Sequence, residues 1–317
     1  MDFSEIERKI LALKKTDGFR RVILVYNPRS SKAIRVKNEV LEPLRKITGV
    51  MVGKFEVKPT DVDDNADNLA KILQDGDVVL TAGGDGTSTI GLNGVILSGK
   101  KVKFYALPFG NFNDLPRTVK NASGGKIYPL EAVIDGKHYR YAACYFTIGM
   151  FAESTEIFDH EKTRKKLRKG NKGIIFSIKT LAKWYFKHKR KNFIPKFNFS
   201  RVTETGIKTL ALDETKDFSD YLAINGISVA KMMRGSKFYE DKKEFLSTVK
   251  QLTSFPRLTL FMARSILKRV PAEISVEDKI VFPNGANVEI QAEGEYKKLK
   301  QVSEIVIRKA EKAVEIL

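Results

Sequence analysis

Three glycines, an aspartate and a threonine fall within five positions in Gly83-Gly84-Asp85-Gly86-Thr87. Glycine tolerates positive φ and lets backbone lie flat against a ligand, so successive N–H groups can form a concave nest for an anion. Asp85 could organise Mg²⁺ or a water on bound phosphates, because phosphoryl transfer needs charge neutralised between them, or it could cap its own loop. Two more polar runs carry similar chemistry. Asn27-Pro28-Arg29-Ser30-Ser31 offers hydroxyls, backbone donors and a cation, or a plain turn. In Pro108-Phe109-Gly110-Asn111-Phe112-Asn113-Asp114-Leu115-Pro116-Arg117, the side chains of Asn111, Asn113 and Asp114 follow a glycine turn. They suit phosphate binding, the positioning of Arg117, or an Asx-turn network.

The elements around these runs place all three at one edge. Residues 21–26 and 78–80 read as buried strands and 54–58 and 102–107 as further strands, and helical spacing recurs between them. Ser4 and Glu7 fit a capping box for a first helix with Ile6, Ile10 and Leu13 on one face. Pro43 removes a donor from the helix carrying Val40 and Leu44. Strands alternating with helices predict a parallel sheet covered on both faces, with ligands beyond the carboxyl ends of its strands. The helix after the glycine loop adds a positively polarised N-terminus, which favours phosphate.

From about residue 126 the pattern shifts to short alternating runs at 139–147, 196–200, 220–224, 257–262, 272–276 and 287–291. These predict an all-β, sandwich-like second domain, with residues 304–317 as a strand and short helix. The expected division is a nucleotide-binding α/β domain over 1–130, completed by 304–317, and a β-rich second domain over 131–303. Phe146, Phe151, Phe238 and Phe261 are expected in its core or along an apolar tail channel. A basic insertion occupies 160–193. Residues 162–191 hold thirteen Lys or Arg and no acid, with Ile174, Ile178, Leu181, Tyr185 and Phe186 at helical spacing. Such a helix either lies on an anionic membrane or packs its apolar face on the β domain.

The bulk composition bounds the partners. The 317 residues include 57 Lys and Arg against 38 Asp and Glu, a net charge of +19, which calls for a polyanionic partner. The usual nucleic-acid signatures are missing, and the apolar stripe beside the basic face favours an anionic membrane surface. One cysteine, Cys144, and three histidines leave little for a disulfide or a zinc cluster. With no secretory signal pattern at Met1-Asp2-Phe3-Ser4-Glu5, a cytoplasmic, peripheral-membrane location is expected, and homo-oligomerisation is left open.

In their order and spacing the three polar runs resemble the diacylglycerol kinase catalytic domain family, which includes bacterial soluble lipid kinases and sphingosine and ceramide kinases. Through the glycine loop they are more distantly similar to NAD kinases and 6-phosphofructokinases. The resemblance covers most of the chain. It implies transfer of the γ-phosphoryl group of ATP, with Mg²⁺, to the hydroxyl of diacylglycerol or a related lipid in a cleft between two domains. The implied nucleotide contacts are Asn27, Pro28, Arg29, Ser30, Ser31, Thr60, Gly83, Gly84, Asp85, Gly86, Thr87, Asn111, Asn113 and Asp114. The family's Asp-Gly-Glu element matches Gln291-Ala292-Glu293-Gly294-Glu295, which implies Glu295 as the base, with Glu293 or Asp85 as alternatives. Ile90 stands where the family usually carries glutamate, and Gly110-Asn111 where it reads Gly-Thr. The bacterial Asp-Asp-Gly metal stretch has its nearest match in Glu240-Asp241-Lys242-Lys243-Glu244-Phe245, where an ammonium could replace the ion. No metal ligand is assigned. A catalytically degenerate nucleotide- and membrane-binding protein is the alternative reading.

Overall fold

The computed structural model describes residues 3–16, 18–110, 112–149, 151–153, 183, 186, 196–210, 219–229, 233–250, 255–267 and 270–317. The chain divides into two compact units, Met1–Pro129 with Tyr239–Lys242 and Ala310–Leu317, and Leu130–Phe238 with Lys243–Lys309.

The first unit is built on a six-stranded sheet. Its strands are β1 (Arg21–Tyr26), β2 (Val52–Glu56), β3 (Asp77–Gly83), β4 (Lys103–Pro108), β5 (Lys126–Ile127) and the C-terminal strand Val314–Ile316, in the order β2-β1-β3-β4-C-terminal strand-β5. The first five in that order are mutually parallel, and β5 runs antiparallel to its neighbour. Every residue of β3, and all of β1 after Arg21, is buried. Near-continuous apolar strands are what a parallel sheet covered on both faces requires. Around it lie α1 (Ser4–Lys14), α2 (Ala33–Val36), α3 (Glu42–Lys46), α4 (Val62–Ile72), α5 (Asp85–Ser98) and α6 (Asp114–Lys120). Glycines let α5 sit close: a Cβ at Gly91 would lie 2.2 Å from Thr81 on β3, and one at Gly94 would lie 2.8 Å from Leu69 on α4.

Two local expectations change here, and one open helix boundary is settled. Ser4 is already helical, with Phe3 at the N-cap and no side-chain cap, so the Ser4/Glu7 box does not form. Pro43 does not stop its helix: a π-helical turn, Lys37–Leu41, widens the ladder just before Pro43 enters the first turn of α3. The chain returns to this unit at Ala310 rather than at 304, and it does so without a helix. Val314 and Ile316 are buried on either side of exposed Glu315, the alternation of a strand.

The second unit is one ten-stranded antiparallel sheet folded over itself. Its strands are β6 (Leu130–Ile134), β7 (Lys137–Ala142), β8 (Tyr145–Ile148), β9 (Asn198–Thr203), β10 (Gly206–Leu210), β11 (Asp220–Ile224), β14 (Phe245–Lys250), β15 (Glu273–Ser275), β16 (Glu277–Ala292) and β17 (Glu295–Lys309), with a separate small ribbon of β12 (Ser228–Val229) and β13 (Met233–Arg234). The long strands β16 and β17 lose register between Val281 and Val288, and the first half of β16 pairs with β9 while the second pairs with β8. The bend closes one core: Phe199 on β9 meets Tyr221 on β11 at 6.0 Å between ring centroids. This gives the sandwich-like layering expected, from a single sheet.

Residues 257–262 are helical, within α7 (Phe255–Leu267), and not a strand. Phe261 and Ser265, four apart, are buried while Arg257, Leu260 and Arg264 are exposed, a helical period rather than an alternation of two. Of the expected basic insertion at 160–193, Lys183 and Phe186, both exposed, are described and the rest lies outside the described residues. Among the described residues no helix is long and apolar enough to cross a membrane.

Candidate functional site

The chain leaves β1 towards β2 on one side and β3 towards β4 on the other. The crevice between the carboxyl ends of β1 and β3 is the switch point where open α/β sheets bind ligands. Loops 27–31, 83–87 and 109–114 all follow strands at this edge, and their contacts join them.

In the first loop Asn27 Oδ1 accepts a hydrogen bond from the Arg29 N–H at 2.9 Å, and Asn27 O accepts from the Ser30 N–H at 3.1 Å. This Asx-turn leaves Pro28, Arg29 and Ser31 exposed and Ser30 half-buried. It also aims Lys32, whose Nζ donates to Gly110 O in the third loop at 3.1 Å. Lys32 was not among the expected contacts, because its partner lies 78 residues away.

In the second loop Gly84 is the extended N-cap of α5 and Asp85 its first residue. The first helical hydrogen bond runs from the Ser88 N–H to Gly84 O at 3.1 Å. The amides before it have no carbonyl to reach within the helix and, with the helix dipole, are donors for an anion. Thr87 is buried against Gly83, where a Cβ would fall 2.4 Å from Thr87 Oγ1. Ile90 is buried one turn further on.

The third loop is clamped onto the second. Asn113, in the left-handed region at φ 57°, accepts from the Gly110 N–H at 2.7 Å and donates to Gly110 O at 3.2 Å. Asp85 Oδ2 accepts from the Asn113 N–H at 3.1 Å and Oδ1 from the Asp114 N–H at 2.9 Å. Both Asp85 oxygens therefore cap α6, the loop-capping role that turn chemistry allowed. Burial, then the nearby Asp114 charge, push this carboxyl up to about 7, against the amides of Asn113, Asp114 and Leu115 that hold it down. Asp114 is itself buried and accepts from Arg117 Nη2 at 2.6 Å. Thr60 belongs to a separate network, accepting from Asn65 Nδ2 at 3.0 Å. Asn111 lies outside the described residues.

Backbone contact between the two glycine loops makes a paired prediction. A Cβ at Gly110 would lie 2.7 Å from Gly84 Cα, whereas a Cβ at Gly84 would meet Gly110 Cα at an ordinary 3.8 Å. Gly110→Ala is expected to cost about 1–3 kcal/mol, as overpacking does. Gly84→Ala is expected to leave stability nearly unchanged. Thermal unfolding of the two variants decides it, and equal losses would refute the contact.

The acids of the second unit have their own geometry. Glu293 and Gly294 are the two central residues of the β16–β17 turn, with φ 54° and 88°. Paired positive φ values mark a type I′ hairpin turn. Glu293 is 1% exposed, its Oε1 accepting from the Cys144 N–H and its own N–H donating to Tyr145 O at 3.4 Å. Glu295, half-buried, opens β17 beside it. Phe146 is core, and Phe151 and Phe261 pack ring to ring at 5.2 Å between centroids.

A carboxyl pair escaped the sequence reading because its members are 136 positions apart. Glu153 is pushed up to about 8, first by burial and then by Glu289, to which it is hydrogen-bonded; Asp220 adds to the rise and Lys298 opposes it. Lys298 Nζ sits 2.8 Å from Glu289. A folded-state value above the ordinary carboxylate range means that the native chain holds a proton the unfolded chain releases. The resulting stability is full below about pH 4.5 and lost as pH rises through about 8. Glu153→Gln should therefore melt like the wild type near pH 4.5 and several degrees higher at pH 8.5. Melting curves across that range test this, and parallel curves would exclude it.

In the stretch matched to the family's metal element, Glu240 accepts from Ser123 Oγ at 3.2 Å and from the Gly124 N–H at 2.7 Å. It braces a turn directly. Among the described residues no group of three His, Cys, Asp or Glu could hold a metal.

Residues 21–144 match the diacylglycerol kinase catalytic domain. No curated protein matches the chain. Among solved structures, the chain is similar to a candidate diacylglycerol kinase from Bacillus anthracis str. Sterne at TM-score 0.62 and 13% identity, covering 95% of this chain and 99% of that one. It is also similar to a diacylglycerol kinase from the same organism at TM-score 0.61 and 15% identity, covering 96% of this chain and 98% of that one. The resemblance read from the three polar runs thus holds as a diacylglycerol kinase catalytic domain match over residues 21–144, within a fold shared with these bacterial proteins along almost the whole chain.

Proposed function

We propose that this protein is a peripheral-membrane lipid kinase that transfers the γ-phosphoryl group of ATP to the hydroxyl of diacylglycerol or a related lipid, on the cytoplasmic side. The observation that carries the proposal is the joining of three loops at the switch point, with Gly84 against Gly110, Lys32 on Gly110 O, and Asp85 capping α6. Amides at the start of α5 would hold phosphate oxygens, and Lys32 would add a cation beside them. Mg²⁺ arriving with the nucleotide would neutralise charge between its phosphates. Glu295, with Glu293 and Asp85 as alternatives, would accept the hydroxyl proton as the oxygen–phosphorus bond forms and ADP leaves. In the test, the full chain is incubated with ATP, Mg²⁺ and anionic vesicles carrying diacylglycerols, sphingoid bases or prenols. A phosphorylated lipid seen by mass spectrometry is expected, and none across the panel would overturn the reading.

A second reading has a specific observation behind it. Both oxygens of Asp85 and Oε1 of Glu293 accept backbone N–H bonds, as structural carboxylates do. A nucleotide-binding protein without turnover would show ATP-dependent thermal stabilisation and no lipid product.

A further inference from the structure

At the opposite edge of the first unit's sheet, four separate segments bring Lys100, Lys101, Lys126, Lys242 and Lys312 around a cavity of about 400 Å³. We infer that this cavity is a second anion site, one that takes a phosphomonoester. The nucleotide-type loops follow β1, β3 and β4, whereas Lys100 and Lys101 precede β4 and Lys312 precedes the strand parallel to it. The two sites therefore lie at opposite ends of the sheet's parallel strands, with β4 common to both.

The cavity is held by fixed backbone rather than by mobile loops. Left-handed Gly99 ends α5, and the Lys101 N–H donates to Asp75 Oδ1 at 2.7 Å while Lys101 O accepts from the Gly76 N–H at 2.9 Å. Lys126 lies on β5, paired with Glu315. Lys242 arrives on Tyr239–Lys242, a segment that leaves the second unit to join the first. Tyr239 O accepts from the Tyr128 N–H at 2.7 Å, the Tyr239 hydroxyl donates to Asn121 O at 3.1 Å, and Glu240 braces Gly124.

The electrostatics identify the ligand class. None of the five ammonium groups enters an ion pair with a described residue; of the two acids in the lining, Glu315 is committed to Lys103 at 3.3 Å, and with Glu311 counted the cavity still carries an excess of positive charge. Like charges gathered around a concavity repel one another, and a multiply charged anion relieves that cost. Lysine binds phosphate as a point charge with several donors. A volume of about 400 Å³ suits a small ligand rather than a nucleic-acid strand. Val95, Ile96 and Val102 supply an apolar wall for the carbon end. A free sugar- or glycerol-type phosphate and the phosphorylated headgroup of a lipid share this chemistry.

Glycerol 3-phosphate and phosphatidylcholine vesicles carrying phosphatidate are the two probes, applied to the full chain by calorimetry and vesicle flotation. At least one should bind saturably, be undisturbed by excess ADP, and weaken about tenfold or more in Lys126→Gln/Lys242→Gln, the loss of roughly one strong charge contact. Lys71→Gln, an exposed lysine on α4, should bind as the wild type does, and Lys126→Arg/Lys242→Arg should retain binding. Glycerol 3-phosphate binding assigns the free ligand, and vesicle binding alone assigns the lipid headgroup. Absence of both, competition by ADP, or equal loss in Lys71→Gln overturns the site. The outcome is independent of whether the chain proves to be a kinase.

Discussion

Asp85→Ala is expected to lower the proposed phosphoryl transfer by about two orders of magnitude, the scale on which a 1 Å misplacement of reacting groups acts. The reason is positional. The carboxylate joins the glycine loop to α6 through the Asn113 and Asp114 amides, so its loss frees the third loop from the second. Losing a helix cap also costs about 1–2 kcal/mol. That cost should depend on pH. The carboxyl titrates near 7 in the folded chain, above its ordinary value, so the wild type loses stability as pH rises from about 4 to about 7. The gap between wild type and variant is therefore larger at pH 5 than at pH 8. Steady-state kinetics separate the roles: a positioning defect raises KM for ATP along with the fall in kcat. A fall in kcat at unchanged nucleotide affinity would instead make Asp85 a group acting in the transfer step.

Asp278→Ala is expected to be the most destabilising single change in the second unit, at about 3–5 kcal/mol, because it leaves a buried cation without its central partner. Asp278 is fully buried on β16, where Oδ1 accepts from Arg201 Nε at 3.3 Å and from Ser275 Oγ at 2.7 Å, and Oδ2 accepts from the Tyr221 hydroxyl at 2.9 Å. Arg201 also reaches Ser247 Oγ on β14 at 2.8 Å, so one guanidinium ties both arms of the folded sheet. Glu273, at 2.6 Å from Arg201 but largely exposed, compensates weakly. Replacing the pair together, Arg201→Met/Asp278→Leu, should recover most of the loss, since no charge is then stranded. Urea unfolding at unchanged m reads both variants. A loss below 1 kcal/mol for Asp278→Ala would show that the network is solvated rather than buried.

The boundary between what could be read and what could not follows sequence distance. The boundaries of β1 match the apolar run at 21–26 residue for residue, and β3 and β4 differ from the expected runs by a few residues at their ends. A strand in a doubly covered sheet needs continuous apolar residues, and that demand is local. Residues 257–262 misled because six residues with apolar positions two apart fit either period, and burial of Phe261 and Ser265 decides only over the full helix. Pro43 left the helix boundaries open because its missing N–H removes a ladder bond, and the π turn over Lys37–Leu41 lies just before it.

For the site, the sequence by itself determined the glycine loop, the two polar runs beside it and their common edge, since each depends on residue types within ten positions and on strand alternation. Tertiary structure decided what those residues hold. It bonded Lys32 to Gly110 and turned Asp85 onto α6. It buried Glu293 against Cys144, paired Glu153 with Glu289, and gathered five lysines from four segments. Each of the hydrogen-bonded contacts among these spans 28 or more positions, as from Asp85 to Asn113. Spacing in a sequence carries local geometry; a carboxylate's partner, and with it the carboxylate's charge, is fixed only when distant segments meet.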